Sequence, residues 1–316
     1  MRYDRAVVAE RSIERERAQN LWTSFLRKVD PLARAAHLTA DPDCPFERIG
    51  GLAAAKDELL TYACAATSPE VYEHWGTQPP SGLLMIGKPG VGKALLARAL
   101  ATRTQSGFLT VEIPRMVIDV VHNPGKVGEL IQTWSQVLEE MPALTVFFNE
   151  LEFSQAQEIG HRRADLPIGP IMDFLLELVG RTIATQKHLV VGATGHPDTL
   201  RRAFVAPGLF ERVVEVTPVF PADVIAALQI HATRAEKRAG RPLFDEVDWS
   251  RVVGQFSEPA TGDWVRILHA VLRRKARCEA AGESVTPVTT QNLRDEVERF
   301  QQAQKHIYTP EGGNYL

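Results

Sequence analysis

The chain has 316 residues, a length that suits two domains. Hydrophobic residues make up 44% and charged residues 24%, which is ordinary for a soluble globular protein. The net charge of −3 argues against nucleic acid or an anionic membrane surface as a partner. No apolar run approaches the roughly 20 residues that a membrane-spanning helix needs, and the charged N-terminus lacks the apolar core of a signal peptide.

The three cysteines are far apart, at Cys44, Cys64 and Cys278. Their number and spacing argue against a disulfide framework and fit a reducing compartment, so we expect a cytoplasmic protein. No cysteine or histidine cluster has the spacing of metal ligands, and the sequence therefore predicts no metal held by such a cluster.

The N-terminal segment, residues 1–45, differs from the rest of the chain. A charged stretch is followed by apolar residues at helical spacing, namely Leu21, Trp22, Phe25, Leu26 and Val29. This pattern predicts an amphipathic helix that ends near Pro31. The helix either packs on its own domain or docks on a partner, and its apolar face is short for a coiled coil. Residues 38–45 are typical of a linker.

Residues 46–220 alternate apolar strands with helices, which is typical of an α/β domain with a parallel sheet. We expect strands at 82–86, 107–112, 144–148, 188–193 and 212–216, and helices near 53–66, 92–104, 126–140 and 167–179. An all-helical domain is expected at 221–305, with helices at 222–239, 247–254, 262–281 and 290–305. Residues 306–316 are expected to form a flexible tail.

The stretch from Gly87 to Ala94 fits the phosphate-binding loop pattern G-x-x-x-x-G-K-[ST] at every position but the last. It joins an apolar strand to a run of helix formers, so the helix N-terminus adds its attraction for anions. The last position of the pattern normally gives a hydroxyl to Mg²⁺, and Ala94 has none. The predicted contacts to phosphate are Gly87, Lys88, Pro89, Gly90, Val91, Gly92, Lys93, Ala94 and Leu95.

A second strand leads into the polar pair Asn149 and Glu150. A nucleoside triphosphatase needs an acidic pair here, one residue for Mg²⁺ and one to activate water. Asn149 brings no charge to Mg²⁺, whereas Glu150 has the chemistry of a general base.

Five further segments carry a signature: FERIGGL at 46–52, QPPSGLL at 78–84, MDFLLELVG at 172–180, GHPDTL at 195–200 and PGLFER at 207–212. With the loop and the second strand they resemble, in order, the AAA+ ATPase module of the branch that includes Cdc-type unfoldases, proteasomal ATPases and FtsH-type proteases. The resemblance covers about residues 46–305. It implies a P-loop α/β domain and a helical lid, with ATP or ADP between them and other AAA+ subunits as partners in a homo- or hetero-oligomeric ring. It places the base near Ile49, Gly50, His231, Thr261 and Gly262.

The departures from the family pattern all fall at positions that the family uses for ATP hydrolysis. The Mg²⁺-binding Thr falls at Ala94, the metal-directed Asp at Asn149 and the sensor Asn at Gly195. The two arginines that the family offers to a neighbouring subunit fall at Ala206 and Leu209. These groups supply most of the charge stabilisation in phosphoryl transfer. The resemblance thus implies a nucleotide-binding regulatory or scaffolding subunit with weak or absent hydrolysis, and leaves Mg²⁺ open.

Two alternatives remain at this point. One is an active ATPase of the unfoldase type, in which Glu150 is the base while phosphates and water hold Mg²⁺. The other is an interaction protein on an AAA+ shell that binds no nucleotide. The stretch at 118–126, expected to be a connecting loop, has no Phe, Tyr or Trp with which to grip a polypeptide. Asn314, Tyr315 and Leu316 resemble the proteasome-docking G-Q-Y-L ends of actinobacterial activators, with a plain disordered tail as the alternative.

Overall fold

The computed structural model describes residues 2–29, 34–152, 167–200, 202–254, 256 and 259–308, with side chains between residues 13 and 304. The chain divides into two compact units. The first comprises Met1–Phe46, Ala53–Pro89 and Lys93–Val216, and the second Glu47–Leu52, Gly90–Gly92 and Thr217–Leu316. No helix within the described ranges is long and apolar enough to cross a membrane.

The first unit is built on a six-stranded sheet in the order β1-β3-β4-β5-β2-β6. The strands are β1 Ala36–Thr39, β2 Leu83–Ile86, β3 Gly107–Glu112, β4 Leu144–Asn149, β5 Leu189–Thr194 and β6 Arg212–Glu215. β1 pairs antiparallel with β3, and all other pairs are parallel. This pairing confirms the predicted α/β fold with a parallel sheet. Apolar strands such as β4 and β5 are buried on both faces, which is typical of strands in a parallel sheet.

The helices of the first unit follow the predicted alternation. They are α1 Arg2–Lys28, α2 Ala53–Thr67, α3 Glu70–His74, α4 Lys93–Thr104, α5 Ile113–His122, α6 Val127–Glu140 and α7 Ile168–Ala184. The four helices expected between the strands are present within a few residues of their predicted bounds. The core of this unit is one apolar cluster that contains residues of both the sheet and the helices.

The N-terminal helix α1 packs on its own unit. Trp22 and Phe25 are almost fully buried in the core, and their rings each lie 6.2 Å from the ring of Trp134 on α6. The apolar stripe seen in the sequence is therefore used internally. Of the two alternatives for this helix, the structure shows packing on its own domain for that stripe.

Two predictions of irregular structure are wrong. Residues 36–39 form β1 where a linker was expected from residue 38, because Ala36 and Leu38 turn inward beside β3. The expected connecting loop at 118–126 begins inside helix α5 and ends in a 3₁₀ turn at Pro124–Lys126. Residues Met116, Val117 and Val120 recur at helical spacing and are buried, and this burial stabilises α5.

The second unit is helical. Its helices are α8 Ala222–Ala239, α9 Trp249–Val253, α10 Thr261–Ala280 and α11 Thr290–Tyr308, close to the predicted bounds. Trp264, Leu268 and Leu228 lie in its own core, separate from that of the first unit. An isolated parallel β-bridge pairs Phe244 with Val288, shortly before α11 begins. The tail residues Asn314, Tyr315 and Leu316 lie outside the described residues.

Candidate functional site

The phosphate-binding loop lies where the sequence placed it, between the end of β2 and the start of α4. Gly87 donates its backbone N–H to the carbonyl of Thr194 at 3.2 Å, which ties the start of the loop to the end of β5. Gly90 has φ of 80° and Gly92 has φ of 110°. These are conformations that glycine adopts without strain and other residues rarely adopt, so the glycine spacing has a conformational cause.

Lys93 is the first residue of α4 and folds back over the loop. Its Nζ donates to the carbonyl of Lys88 at 3.0 Å and also to the carbonyl of Gly87. Burial lowers the pKa of Lys93, while the nearby carboxylates of Glu152 and Glu150 act in the opposite direction. A cation held at the start of a helix, beside the backbone N–H groups of the first turn, is suited to bind phosphate oxygens.

The rest of the predicted phosphate contacts differ in their exposure. Lys88, Pro89, Ala94 and Leu95 are exposed, whereas Val91 is buried. The methyl group of Ala94 offers no oxygen, so the first position that normally supports Mg²⁺ lacks a ligand atom.

Asn149 lies at the end of β4 and is paired with Glu112 at the end of β3. Its amide Nδ2 donates to Glu112 Oε2 at 2.8 Å, and the two residues are register partners. The amide is therefore committed to a carboxylate. Sequence reasoning missed Glu112, because only the order of the strands in the sheet reveals that these two residues are neighbours.

Glu150 follows directly in a left-handed backbone conformation, with φ of 56°. Burial raises its pKa, and the carboxylates of Glu152 and Glu112 raise it further, while Lys93 and His196 lower it. A carboxyl group with a raised pKa beside a phosphate loop has the chemistry of a general base. The structure thus brings together Lys93, Asn149 and Glu150.

Glu152 is a buried acid and the second site residue that sequence reasoning missed. Its side chain is 2% exposed, and Oε1 accepts from the backbone N–H of Gly195 at 2.8 Å. The same oxygen lies 3.4 Å from Nδ1 of His196. The other oxygen, Oε2, is buried without a hydrogen-bond partner in the described part of the chain. The signal in the sequence was a second acid two residues after Glu150.

Gly195 occupies the sensor position and has little room around it. A Cβ there would lie 3.2 Å from Cγ of Pro89 and 3.3 Å from Oε1 of Glu152. The space that a sensor side chain would need is taken by these two neighbours. At the finger positions, Ala206 is uncharged and Leu209 packs against the core of the first unit.

The second unit carries the residues predicted near the base. Gly262 donates its N–H to the carbonyl of Gly90 at 2.9 Å, and a Cβ at Gly262 would lie 3.0 Å from that oxygen. The hydroxyl of Thr261 is buried and has no partner among the described residues. The start of α10 is thus closely fitted to the backbone of Gly90.

The segment with Ile49 and Gly50 is held by helix α8. A Cβ at Gly50 would lie 2.2 Å from the backbone N of Ala227, so only glycine fits. Asp223 accepts from the backbone N–H groups of Leu52 and Val219 through Oδ2, at 2.9 and 3.0 Å. His231 lies further along α8 with its ring 5.8 Å from that of His269, and burial followed by His269 lowers the pKa of His231.

Comparison with known proteins assigns the segment that carries this site to a family. The family described as "ATPase family associated with various cellular activities (AAA)" matches residues 83–218, which include the loop, Asn149, Glu150 and Gly195. Residues 83–218 are an AAA domain. The prediction from the sequence motifs is confirmed at this level.

Curated relatives extend the similarity over more of the chain. The Cell division cycle protein 48 homolog of Archaeoglobus fulgidus is 26% identical over 89% of the chain and 37% of the relative. The proteasome-activating nucleotidase of Methanocaldococcus jannaschii is 30% identical over 65% of the chain and 47% of the relative. The corresponding nucleotidase of A. fulgidus is 30% identical over 74% and 56%. The chain spans between about a third and just over half the length of these curated relatives.

An AAA domain implies a nucleotide, usually with Mg²⁺, and the residues present fit these two groups differently. In the first unit, the start of α4 and Lys93 fit phosphate oxygens. The positions for Mg²⁺ fit poorly, because Ala94 lacks an oxygen and the Asn149 amide is bound to Glu112. Within the described ranges, no group of three or more His, Cys, Asp or Glu side chains is arranged to hold a metal ion.

Proposed function

We propose that the chain binds ATP or ADP, hydrolyses it weakly or not at all, and acts as a regulatory or scaffolding subunit of an AAA+ ring. The observation that carries the proposal is the contrast at one edge of the sheet. The glycines of the loop and Lys93 are present, whereas the position of the family's acid at the end of β4 holds Asn149, whose amide is hydrogen-bonded to Glu112.

Loss of hydrolysis is supported by positions that act together in phosphoryl transfer. Ala94 lacks the hydroxyl oxygen, and Asn149 lacks the negative charge, that the family offers at the metal position. Gly195 removes the sensor side chain, and Ala206 and Leu209 remove the fingers. Transition-state charge would then be poorly neutralised, and an arginine finger alone is worth about 10³–10⁵ in rate.

A role in a ring is supported by the relatives. Those of A. fulgidus and M. jannaschii described as proteasome-activating nucleotidases share the AAA domain. The AAA+ resemblance supports a cytoplasmic ring subunit, homo- or hetero-oligomeric. Docking on a proteasome through Asn314, Tyr315 and Leu316 is supported by the similarity of these residues to the ends of actinobacterial activators. Neither nucleic acid nor a membrane is a proposed partner.

An active ATPase is the second candidate, and Glu150 is the observation that favours it. Its raised pKa and its position near Lys93 suit a general base. In this version Mg²⁺ would be bound by phosphates and water with little help from the protein.

Steady-state ATP turnover by the purified chain separates these two functions. We expect turnover with Mg²⁺ far below about one per second, the lower end of ordinary enzyme rates. Glu150→Gln would then change little, and Glu140→Gln, an exposed change of the same type on α6, serves as the control. Turnover at or above that rate, abolished by Glu150→Gln, would establish the active enzyme instead.

Calorimetry with ATP and ADP tests the binding half. We expect saturable heat for both nucleotides with the wild-type chain and a loss of at least tenfold in affinity for Lys93→Ala. An absence of heat with both nucleotides would leave only the interaction protein that binds no nucleotide.

Proteasome pull-down with and without the last two residues tests docking, and equal recovery would remove that part of the proposal.

A further inference from the structure

Two strand ends meet at the position where the AAA+ family directs an acid at Mg²⁺. Glu112 ends β3 and Asn149 ends β4, and they are partners across two parallel strands. Asn149 Nδ2 donates to Glu112 Oε2 at 2.8 Å, and both residues are half-buried. The pair therefore joins the two strands at the edge that carries the phosphate loop.

The hydrogen bond between Glu112 and Asn149 needs one donor and one acceptor. An ionised carboxylate only accepts hydrogen bonds, and the side-chain amide supplies the donor. An aspartate at position 149 would bring a second carboxylate to the same distance from Glu112. Like charges on directly adjacent strand positions destabilise a sheet, and the half-buried acceptor Glu112 would lose its donor.

The surroundings already hold much negative charge. Glu112 and Glu152 both act on Glu150, and together they raise its pKa. A further acid at position 149 would add a fourth carboxylate to this group. The uncharged amide at position 149 thus adds no negative charge to these three carboxylates.

We propose that Glu112 is a positioning residue that selects an amide at position 149 and keeps the end of β4 without a carboxylate for Mg²⁺. The effect on Mg²⁺ and nucleotide rests on the proposed function, whereas the interaction between Glu112 and Asn149 does not. Restoring hydrolysis would then need more than the family's two metal-binding residues. Changing Ala94→Thr and Asn149→Asp is insufficient, because Glu112 opposes the new aspartate.

A double-mutant cycle in the absence of nucleotide tests the pair itself. The variants are Glu112→Gln, Asn149→Asp and the double variant, which exchanges the amide and the carboxylate. We expect Asn149→Asp to lower the thermal midpoint by about 2–5 °C. Glu112→Gln alone should cost less, and the exchange variant should return close to wild type because the introduced glutamine amide donates to the introduced aspartate.

Asn20→Asp, an amide-to-acid change at an exposed position on α1, is the control and should leave the midpoint unchanged. Additive effects in the cycle, or an Asn149→Asp variant as stable as wild type, would overturn the proposal. The cycle needs no ligand, so its result stands even if the chain binds no nucleotide.

ATP affinity with and without Mg²⁺ then tests the consequence. We expect Ala94→Thr/Asn149→Asp to gain little from Mg²⁺, and the same variant with Glu112→Gln added to bind ATP at least tenfold more tightly with Mg²⁺ than without. Equal gains in the two variants would show that Glu112 does not control the metal position. Failure of all variants to bind ATP would contradict the proposed function, while the coupling between Glu112 and Asn149 would still be decided by the cycle.

Discussion

Gly195 lies at the family's sensor position, and its neighbours explain why a side chain is disfavoured there. Pro89 lies within 3.2 Å and Glu152 within 3.3 Å of where a Cβ would stand. Glu152 also accepts the backbone N–H of Gly195. The glycine at this position therefore fits its neighbours, as Asn149 fits Glu112.

At the residue scale we predict that restoring the sensor by Gly195→Asn destabilises the protein. Overpacking against Pro89 and Glu152 should lower the free energy of unfolding by about 1–3 kcal/mol. Urea unfolding measures the effect. Gly125→Asn is the matched control, since a Cβ at Gly125 would meet nothing within 4 Å. If Gly195→Asn costs no more than the control, the site has room for a sensor.

At the element scale, His188 joins three elements at the far end of the sheet. Its Nδ1 accepts the N–H of Leu144 at 3.1 Å, where β4 begins, and its Nε2 donates to the carbonyl of Leu138 on α6 at 3.0 Å. His188 itself directly precedes β5. Burial lowers its pKa to about 4, against a smaller opposite effect of the Leu138 carbonyl. The folded chain therefore holds this imidazole neutral.

This pKa shift predicts a dependence of stability on pH. The contribution of neutral His188 is fully present above about pH 6.5, the pKa of an unfolded histidine, and is lost as the pH falls to about 4. The loss is on the order of 3 kcal/mol.

Urea unfolding at pH 7, 6 and 5 should show wild type losing stability relative to His188→Gln, whose amide can make both hydrogen bonds without titrating. The exposed His37→Gln variant should follow wild type. Parallel pH profiles for wild type and His188→Gln would contradict this account.

At the scale of the whole molecule, most of the matched AAA segment, residues 83–218, lies in the first of two compact units, and the second unit has its own core. Any ligand that binds only the folded chain must raise its stability by an amount set by the free concentration over the dissociation constant. Nucleotide binding can therefore be measured on the intact protein without any activity.

We predict that ATP raises the thermal midpoint of the intact chain equally with Mg²⁺ and with a chelator. At about 100 times the dissociation constant the stabilisation is about 2.7 kcal/mol. The reason is that Ala94 and Asn149 give Mg²⁺ no charged or oxygen ligand beyond the Asn149 carbonyl group. Lys93→Ala should show a much smaller rise under both conditions. A rise that requires Mg²⁺ would contradict the prediction.

The sequence alone determined the α/β order, the phosphate loop and the family. These follow from local patterns: buried parallel strands are continuous apolar runs, and glycines mark backbone that must turn through positive φ. The predictions failed for β1, which is a four-residue edge strand, and for the start of the 118–126 stretch, where a short amphipathic helix had too few turns to be distinguished from a loop.

Only the tertiary structure decided which residues are neighbours of the altered positions. Glu112 is 37 residues from Asn149 in the chain, and Glu152 is 43 residues from Gly195, so no local pattern connects them. The sheet order places β3 beside β4 and β4 beside β5, and it brings their carboxyl ends together. The physical reason is that hydrogen bonding between distant strands sets these contacts, whereas the sequence shows each strand separately.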